Sequence, residues 1–227
     1  MDEPTWKIWL SYLAEVRLES TSSAYNPQLQ VSLKQGRYQL STAHAVYSYG
    51  DLYSNFDRAF QQIRLEQLPG DAALILGFGL GSIPLLLEKK FGLRFHYTAV
   101  EIDETVLELA HRYTVPDIAS PIDFVCADAA IFLETTEQTF DLICMDIFQD
   151  DTVPPAFEDL SFLENLKLSL SPKGILLYNR LAATAKDIAK TKIFFEESFL
   201  SVFPQGKYLD VKGNWILVSD GESVLKR

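Results

Sequence analysis

Short apolar runs alternate with stretches of helical periodicity along most of the chain, starting near residue 68. The runs predict strands buried on both faces, since such strands are apolar throughout. They cover residues 72–76, 95–100, 122–127, 140–145 and 174–179. Helices are predicted between them at residues 82–91, 104–112, 129–134, 156–170 and 185–199. This alternation indicates a parallel sheet with right-handed crossovers.

Two further apolar runs, residues 207–211 and 215–219, are separated by only three residues. A parallel crossover needs a dozen or more residues, so these runs must pair as an antiparallel hairpin. A mostly parallel seven-stranded sheet that ends in an antiparallel hairpin is the class I methyltransferase variant of the Rossmann-like α/β fold. We predict this fold for residues 57–227.

The first 56 residues have a different pattern, in which Leu29, Val31 and Leu33 alternate with polar residues. Residues 28–33 therefore predict a strand with one buried face, residues 34–36 a turn, and residues 37–40 the partner strand. Residues 6–18 have apolar positions at mixed spacing, which fits either a helix or a strand. We predict a small N-terminal β-rich domain over residues 1–56, built on this hairpin.

Charge limits the class of ligand. The chain of 227 residues has a net charge of −11, and residues 113–166 contain twelve Asp or Glu and no Lys or Arg. Affinity for nucleic acid comes largely from Lys and Arg, so no nucleic-acid partner is expected. A small-molecule acceptor that is cationic or neutral suits the charge better.

The remaining composition predicts a cytoplasmic protein without a metal. Cys126 and Cys144 each lie in an apolar run and are expected to be small buried hydrophobes. His44, His96 and His111 are scattered and are expected to be structural or solvated, so no metal site is predicted. The acidic start of the chain and the lack of a long apolar segment predict neither a signal peptide nor membrane binding. A homodimer is among the assemblies expected.

A glycine-rich loop is the strongest local motif. It follows the first predicted strand of the sheet and has the sequence Gly77-Phe78-Gly79-Leu80-Gly81. Glycines permit a tight turn and a close approach of the backbone to a ligand. A strand-to-helix turn with no ligand is the alternative interpretation.

Two acidic residues follow at the ends of the next two strands. Glu101, followed by Ile102, lies twenty residues after Gly81, where its carboxylate can accept hydrogen bonds from both ribose hydroxyls. Asp128, followed by Ala129, is placed to accept from an adenine amino group. Their alternative roles are a solvated acid at a helix start and an N-cap, respectively. Because the carboxyl ends of parallel strands meet at one edge of the sheet, the motif favours an adenosyl ligand. NAD ranks second, since the third glycine of its fingerprint is absent.

The fourth strand ends at Asp146, which can orient an amine or take its proton during attack on a carbon next to a sulfonium. Asp150 and Asp151 either concentrate a cation or belong to a polar surface loop. A cluster of aromatic residues before the core would line an acceptor pocket, with burial between the domains as the alternative. Its members are Tyr47, Tyr49, Tyr53 and Phe56. Of these, Tyr53 is predicted to be catalytic.

The order of these features resembles that of the spermidine synthase family of aminopropyltransferases over roughly residues 25–220, from the hairpin at Gly36 to the last strands. By this resemblance, the glycines would hold the methionine-derived part of S-adenosylmethionine or its decarboxylated form. Glu101 would bind the ribose, Asp128 the adenine and Asp146 the reacting amine.

Departures from the family pattern bear on the reaction. Polyamine-forming members have an acid at the position of Leu80, which suits the decarboxylated cofactor and would repel the carboxylate of the intact one. Gln149 replaces a second acid after the fourth strand, and Asn55 replaces a carboxylate in the segment that starts at Tyr53. Methyl transfer to a small acceptor, such as an amine, is therefore the leading hypothesis. Aminopropyl transfer is the second, and a non-catalytic nucleoside-binding relative is the third.

Overall fold

A computed structural model describes residues 3–43, 45–149 and 152–225 of the chain. It contains a seven-stranded, mostly parallel sheet and a separate four-stranded antiparallel sheet at the N-terminus, so the Rossmann-like prediction is confirmed. The predictions for His44, Asp150 and Asp151 concern residues outside the described ranges. No helix within those ranges is both long enough and apolar enough to cross a membrane.

The N-terminal sheet contains the predicted hairpin and two further strands. Gln35 and Gly36 both have positive φ angles, which matches the two-residue turn that joins twisted antiparallel strands. The undecided stretch at residues 6–18 forms a helix followed by a strand. These elements are α1 (Thr5–Ser11), β1 (Val16–Thr21), β2 (Leu29–Lys34), β3 (Arg37–Ser41) and β4 (Val46–Ser48). The side chains of Leu29, Val31 and Leu33 are buried as predicted.

The large sheet has the strand order β10-β11-β9-β8-β5-β6-β7, and β11 runs antiparallel to both of its neighbours. Its strands are β5 (Ala72–Leu76), β6 (His96–Glu101), β7 (Ile122–Cys126), β8 (Phe140–Met145), β9 (Leu170–Ala182), β10 (Lys207–Asp210) and β11 (Gly213–Val218). The connecting helices are α2 (Ser54–Phe60), α3 (Ser82–Lys89), α4 (Glu104–Tyr113), α5 (Ala129–Thr135), α6 (Leu160–Leu168), α7 (Ala185–Ile193) and α8 (Leu200–Val202). The division between domains at residue 56 stays a prediction, and α2 extends across it.

Two predicted helices differ from the observed ones. The helix expected over residues 156–170 starts at Leu160, because the prolines before it lead into a short 3₁₀ turn at Pro155–Glu158. The strand after it begins at Leu170, which pairs with Phe140, and is therefore much longer than predicted. The helix expected to reach residue 199 ends at Ile193 and continues as a π-helical turn over Phe194–Phe199.

The sheet is covered on both faces. One apolar cluster packs it against α2, α3 and α4, and the other packs it against α5, α6 and the π-helical turn over Phe194–Phe199. Cys144 lies in the centre of the sheet and is buried as predicted. The prediction for Cys126 was wrong, because β7 is an edge strand and its last residue is exposed.

The strand order reverses at β5. From β5 the chain adds β6 and β7 on one side and then β8 on the other, so the loops after β5 and β8 part and leave a crevice between them. Gly77 lies in this crevice with φ +85°, and a Cβ there would lie 2.5 Å from the carbonyl oxygen of Asp146. The amide of Asp146 donates to the carbonyl of Leu76 at 2.8 Å, which holds the two loops together. Residue 77 must therefore be glycine for the two strands to end side by side.

The substitution Gly77→Ala should destabilise the protein by about 2–5 kcal/mol, because it adds overlap with the Asp146 carbonyl to the strain of a left-handed alanine. Gly92→Ala is the matched control, since Gly92 also has a positive φ (+66°) but no atom lies within 4 Å of the position that a Cβ would occupy. That control should lose only about 1–2 kcal/mol. Urea unfolding of the ligand-free variants measures both, and equal losses would contradict the packing argument.

Candidate functional site

A cavity of about 660 Å³ occupies the crevice between the loops after β5 and β8. This volume lies within the range of about 300–1,000 Å³ found for small-molecule sites. The N-terminal sheet closes one side of it. Four carboxylates line the cavity, and the described part of its lining has no Lys, Arg or His. The four are Glu101, Asp103, Asp128 and Asp146.

Only part of the glycine loop faces the cavity. Gly77 and Gly79 line it, whereas Phe78 and Gly81, which were also predicted to bind a cofactor, do not. The ring of Phe78 is buried and packs edge-on against Phe124 with centroids 5.2 Å apart. Gly81 is the N-cap of α3, and a Cβ there would lie 2.8 Å from the Phe78 ring. These two residues therefore shape the turn from beneath.

Leu80, the residue that replaces an acid of the polyamine-forming pattern, does not face the cavity. Its side chain is completely buried in the apolar core beneath the loop and is not part of the cavity lining. Leu80 therefore does not contact a ligand in this arrangement. Because residue 80 is a leucine, the loop has no acid at this position.

Glu101 lies at the end of β6 with its carboxylate held by backbone amides. Oε2 accepts from the amide of Gly79 at 3.2 Å and Oε1 from the amide of Asp103 at 3.2 Å. Burial raises the pKa of Glu101, and these amide donors oppose the rise. The helix-start role considered as its alternative belongs to Asp103, whose Oδ1 accepts from the amide of Thr105 at 3.1 Å. Ile102 lies between them, exposed and in the cavity lining.

Asp128 has the N-cap role that was considered for it, and it also lines the cavity. Its Oδ1 caps α5 by accepting from the amides of Ala130 at 2.7 Å and Ile131 at 3.3 Å. Its Oδ2 accepts no bond from the described residues, and Asp128 and Ala129 both line the cavity. One oxygen thus stabilises the helix while the other is available to a ligand.

Asp146 lies at the end of β8 with its two oxygens in different surroundings. Oδ1 accepts from the hydroxyl of Tyr53 at 3.2 Å and from Nδ2 of Asn179 at 2.8 Å. Oδ2 accepts no bond from the described residues. Burial raises the pKa of Asp146 to about 6, although the two donors lower it. The two catalytic candidates, Asp146 and Tyr53, are therefore in direct contact.

Sequence reasoning missed the amides that support Asp146. Asn179 is completely buried in β9, and its Oδ1 accepts from Nδ2 of Asn214 at 2.9 Å. Asn214 lies on β11 and also lines the cavity. The available signal was a single polar residue at the end of the apolar run over residues 174–179, since a buried amide needs hydrogen-bond partners.

The other candidates divide between structural and cavity-lining roles. Of the aromatic cluster, Tyr47 and Tyr53 line the cavity, and Phe56 is buried in the core. The hydroxyl of Tyr49 donates instead to Oε1 of Gln35 at 3.0 Å. His96 is exposed beside Asp123, and His111 contacts the carbonyl of Leu107 in its own helix. Neither histidine lines the cavity.

Comparison with known proteins supports the resemblance. Residues 73–200 match the family model of the spermine/spermidine synthase domain. The chain is 30% identical over 109 residues to the "Probable polyamine aminopropyl transferase" of Bifidobacterium longum, a match that covers 48% of this chain and 24% of that protein. It is 29% identical over 120 residues to the human "eEF1A lysine and N-terminal methyltransferase", covering 48% and 17%. The matches thus span a quarter or less of these curated relatives.

A solved structure similar to this one is that of human Methyltransferase-like protein 13 in complex with SAH. The TM-score is 0.61 at 25% sequence identity, and the match covers 76% of this chain and 83% of the other. The family match covers more than half of the sequence and includes strands β5 to β8 of the seven-stranded sheet. The chain belongs to the spermine/spermidine synthase family.

Proposed function

We propose that the chain is an S-adenosylmethionine-dependent transferase that moves a methyl group to an amine. The observation that carries the proposal is the convergence of Glu101, Asp128 and Asp146 on one cavity whose described lining has no basic side chain. Negative potential in a concave site concentrates cations, which suits both a sulfonium and an alkylammonium.

The residues present fit an adenosyl ligand. The backbone of Gly77 and Gly79 faces the cavity without side chains, so a ligand can approach it closely. The carboxylate of Glu101 would accept from the ribose hydroxyls, and the unused Oδ2 of Asp128 from the adenine amino group. When bound, S-adenosylmethionine supplies a carbon next to a sulfonium that a nucleophile can displace.

Asp146 would prepare the acceptor. An amine attacks only through its lone pair, so a protonated acceptor must first lose a proton. The free Oδ2 of Asp146 can accept this proton, while Tyr53 and Asn179 hold the carboxylate by Oδ1. With a pKa of about 6, Asp146 is ionised at neutral pH and can act as the base. Ile147 and Phe148, which follow Asp146 in the same loop, add apolar side chains to the lining of the site.

Methyl transfer is favoured over aminopropyl transfer because the site lacks two acids of the polyamine-forming pattern. The glycine loop has no acid where Leu80 is buried, and Asn55 rather than a carboxylate lines the cavity. A free aminopropyl amine therefore meets fewer anionic partners than in the polyamine-forming pattern. The human relative named as a methyltransferase and the structural match to a complex with SAH support the same choice.

Aminopropyl transfer is the second candidate. It is supported by the four carboxylates of the cavity and by the similarity to the Bifidobacterium longum protein. A non-catalytic nucleoside-binding relative is the third hypothesis.

Incubation with a primary alkylamine and each cofactor in turn separates these candidates. We expect S-adenosylmethionine to give a product heavier by one CH₂, together with S-adenosylhomocysteine, measured by mass spectrometry. Decarboxylated S-adenosylmethionine should give little or no product. An aminopropylated amine from the decarboxylated cofactor alone would favour the second candidate, and no product from either cofactor with several amines would favour the third.

Replacement of Glu101 by alanine should weaken binding of S-adenosylmethionine about 10- to 100-fold, since hydrogen bonds to a charged group contribute about 1.5–3 kcal/mol. Glu108→Ala is the matched control, because Glu108 is an exposed residue of the adjoining helix α4 and lies outside the cavity. Isothermal titration calorimetry measures both affinities. Equal affinities for the two variants would rule out Glu101 as a cofactor residue.

The pH profile of kcat/KM should fall on the acidic side of about pH 6, as protonation of Asp146 removes the base. Asn179→Leu should move this limb to higher pH, because it removes a donor that lowers the pKa of Asp146. Asp146→Asn should abolish the limb and lower kcat/KM by about 10²–10⁴. An acidic limb that stays in place in both variants would exclude Asp146 as the titrating group.

A further inference from the structure

On the cofactor side of the cavity, two side chains of the N-terminal domain bind the same atom, Oδ2 of Asp103. The hydroxyl of Ser23 donates to this oxygen at 2.5 Å, and Nδ2 of Asn26 donates to it at 3.0 Å. The hydroxyl of Tyr47 donates to Oδ1 of Asn26 at 3.1 Å, which fixes the orientation of that amide. Two neutral donors from a segment about 80 residues away in sequence thus hold one carboxylate oxygen.

The amide and Oδ1 of Asp103 bind Glu101, the proposed ribose-binding residue, and the start of helix α4. Its amide donates to Oε1 of Glu101 at 3.2 Å, and its Oδ1 caps α4 through the amide of Thr105. Asp103 is only 2% exposed, so water cannot readily replace these partners. A single side chain therefore joins the N-terminal domain, the start of α4 and the carboxylate of Glu101.

The like charges of Asp103 and Glu101 explain why Asp103 needs the hydrogen bonds from Ser23 and Asn26. The carboxylates of Asp103 and Glu101 are close neighbours of like sign, and the charge of Asp103 raises the pKa of Glu101. A buried carboxylate that loses its donors turns toward other partners, because an unsatisfied buried acceptor is costly. Such a change would disturb the cap of α4 and the amide that holds Glu101.

We propose that Ser23 and Asn26 are positioning residues for the cofactor. By holding Asp103, they set the position of Glu101, so the N-terminal domain controls affinity for the adenosyl ligand as well as forming a wall of the cavity. The inference rests on the proposed function. Ser23 is the diagnostic residue, because Asn26 lines the cavity and could contact a ligand directly, whereas Ser23 does not line it.

The test compares three variants of the full chain by calorimetric titration with S-adenosylhomocysteine. Ser23→Ala should bind at least tenfold more weakly than the unaltered chain. Ser23→Thr keeps the hydroxyl and should restore most of the affinity. Ser22→Ala, at an exposed neighbour in the same segment, is the matched control and should bind normally.

Steady-state kinetics then separates positioning from a general loss of structure. In Ser23→Ala, KM for S-adenosylmethionine should rise severalfold while KM for the amine stays unchanged and the ligand-free melting temperature stays close to that of Ser22→Ala. If Ser23→Ala proves unstable, Ser23→Cys replaces the hydroxyl with a weaker donor outside the cavity lining and should give an intermediate loss of affinity. Normal binding by Ser23→Ala would overturn the inference and leave the proposed function standing, whereas no binding by the unaltered chain would overturn both.

Discussion

The close approach between Gly77 and the carbonyl of Asp146 is the contact on which the site depends. It requires a left-handed backbone and the absence of a side chain, and it lets β5 and β8 end side by side at the point where the strand order reverses. The amide of Asp146 bonds to the carbonyl of Leu76 in the same region. With the two strand ends fixed in this way, the loops that follow diverge and form the walls of the cavity.

The N-terminal sheet is fitted to the same loop. A Cβ at Gly79 would lie 3.3 Å from the side chain of Ser48, and the hydroxyl of Ser48 lies 2.7 Å from that of Ser82 at the start of α3. The amide of Tyr49 also donates to the Ser82 hydroxyl at 2.9 Å. The cavity is therefore built by both sheets together, and its shape depends on how they pack against each other.

Much of this could be predicted from the sequence, because strands of a buried sheet and their order along the chain leave a strong local pattern. The bounds of β5 and β8 agreed with the predicted runs, and the acids at the ends of β6, β7 and β8 line one cavity as expected. The orientation of Phe78 and Leu80 could not be predicted, because consecutive residues in a left-handed turn follow no simple periodicity. Nor could the bonds from Ser23 and Asn26, since their partner is separated by about 80 residues and no periodic signal joins them.

The positive φ angles of Gly77, Gly79 and Gly81 have a consequence for how relatives of this chain are compared. A side chain at Gly77 would overlap a carbonyl of the neighbouring loop, and one at Gly81 would overlap the ring of Phe78. Gly79 is favoured by its positive φ and by a tight contact with Ser48 of the N-terminal sheet. Selection for folding alone would therefore preserve the motif in a descendant that no longer binds any nucleoside. In such a descendant, substitutions would appear first at Glu101, because its carboxylate faces the cavity. Asp128 would change only in ways that keep its helix-capping oxygen and alter the free one.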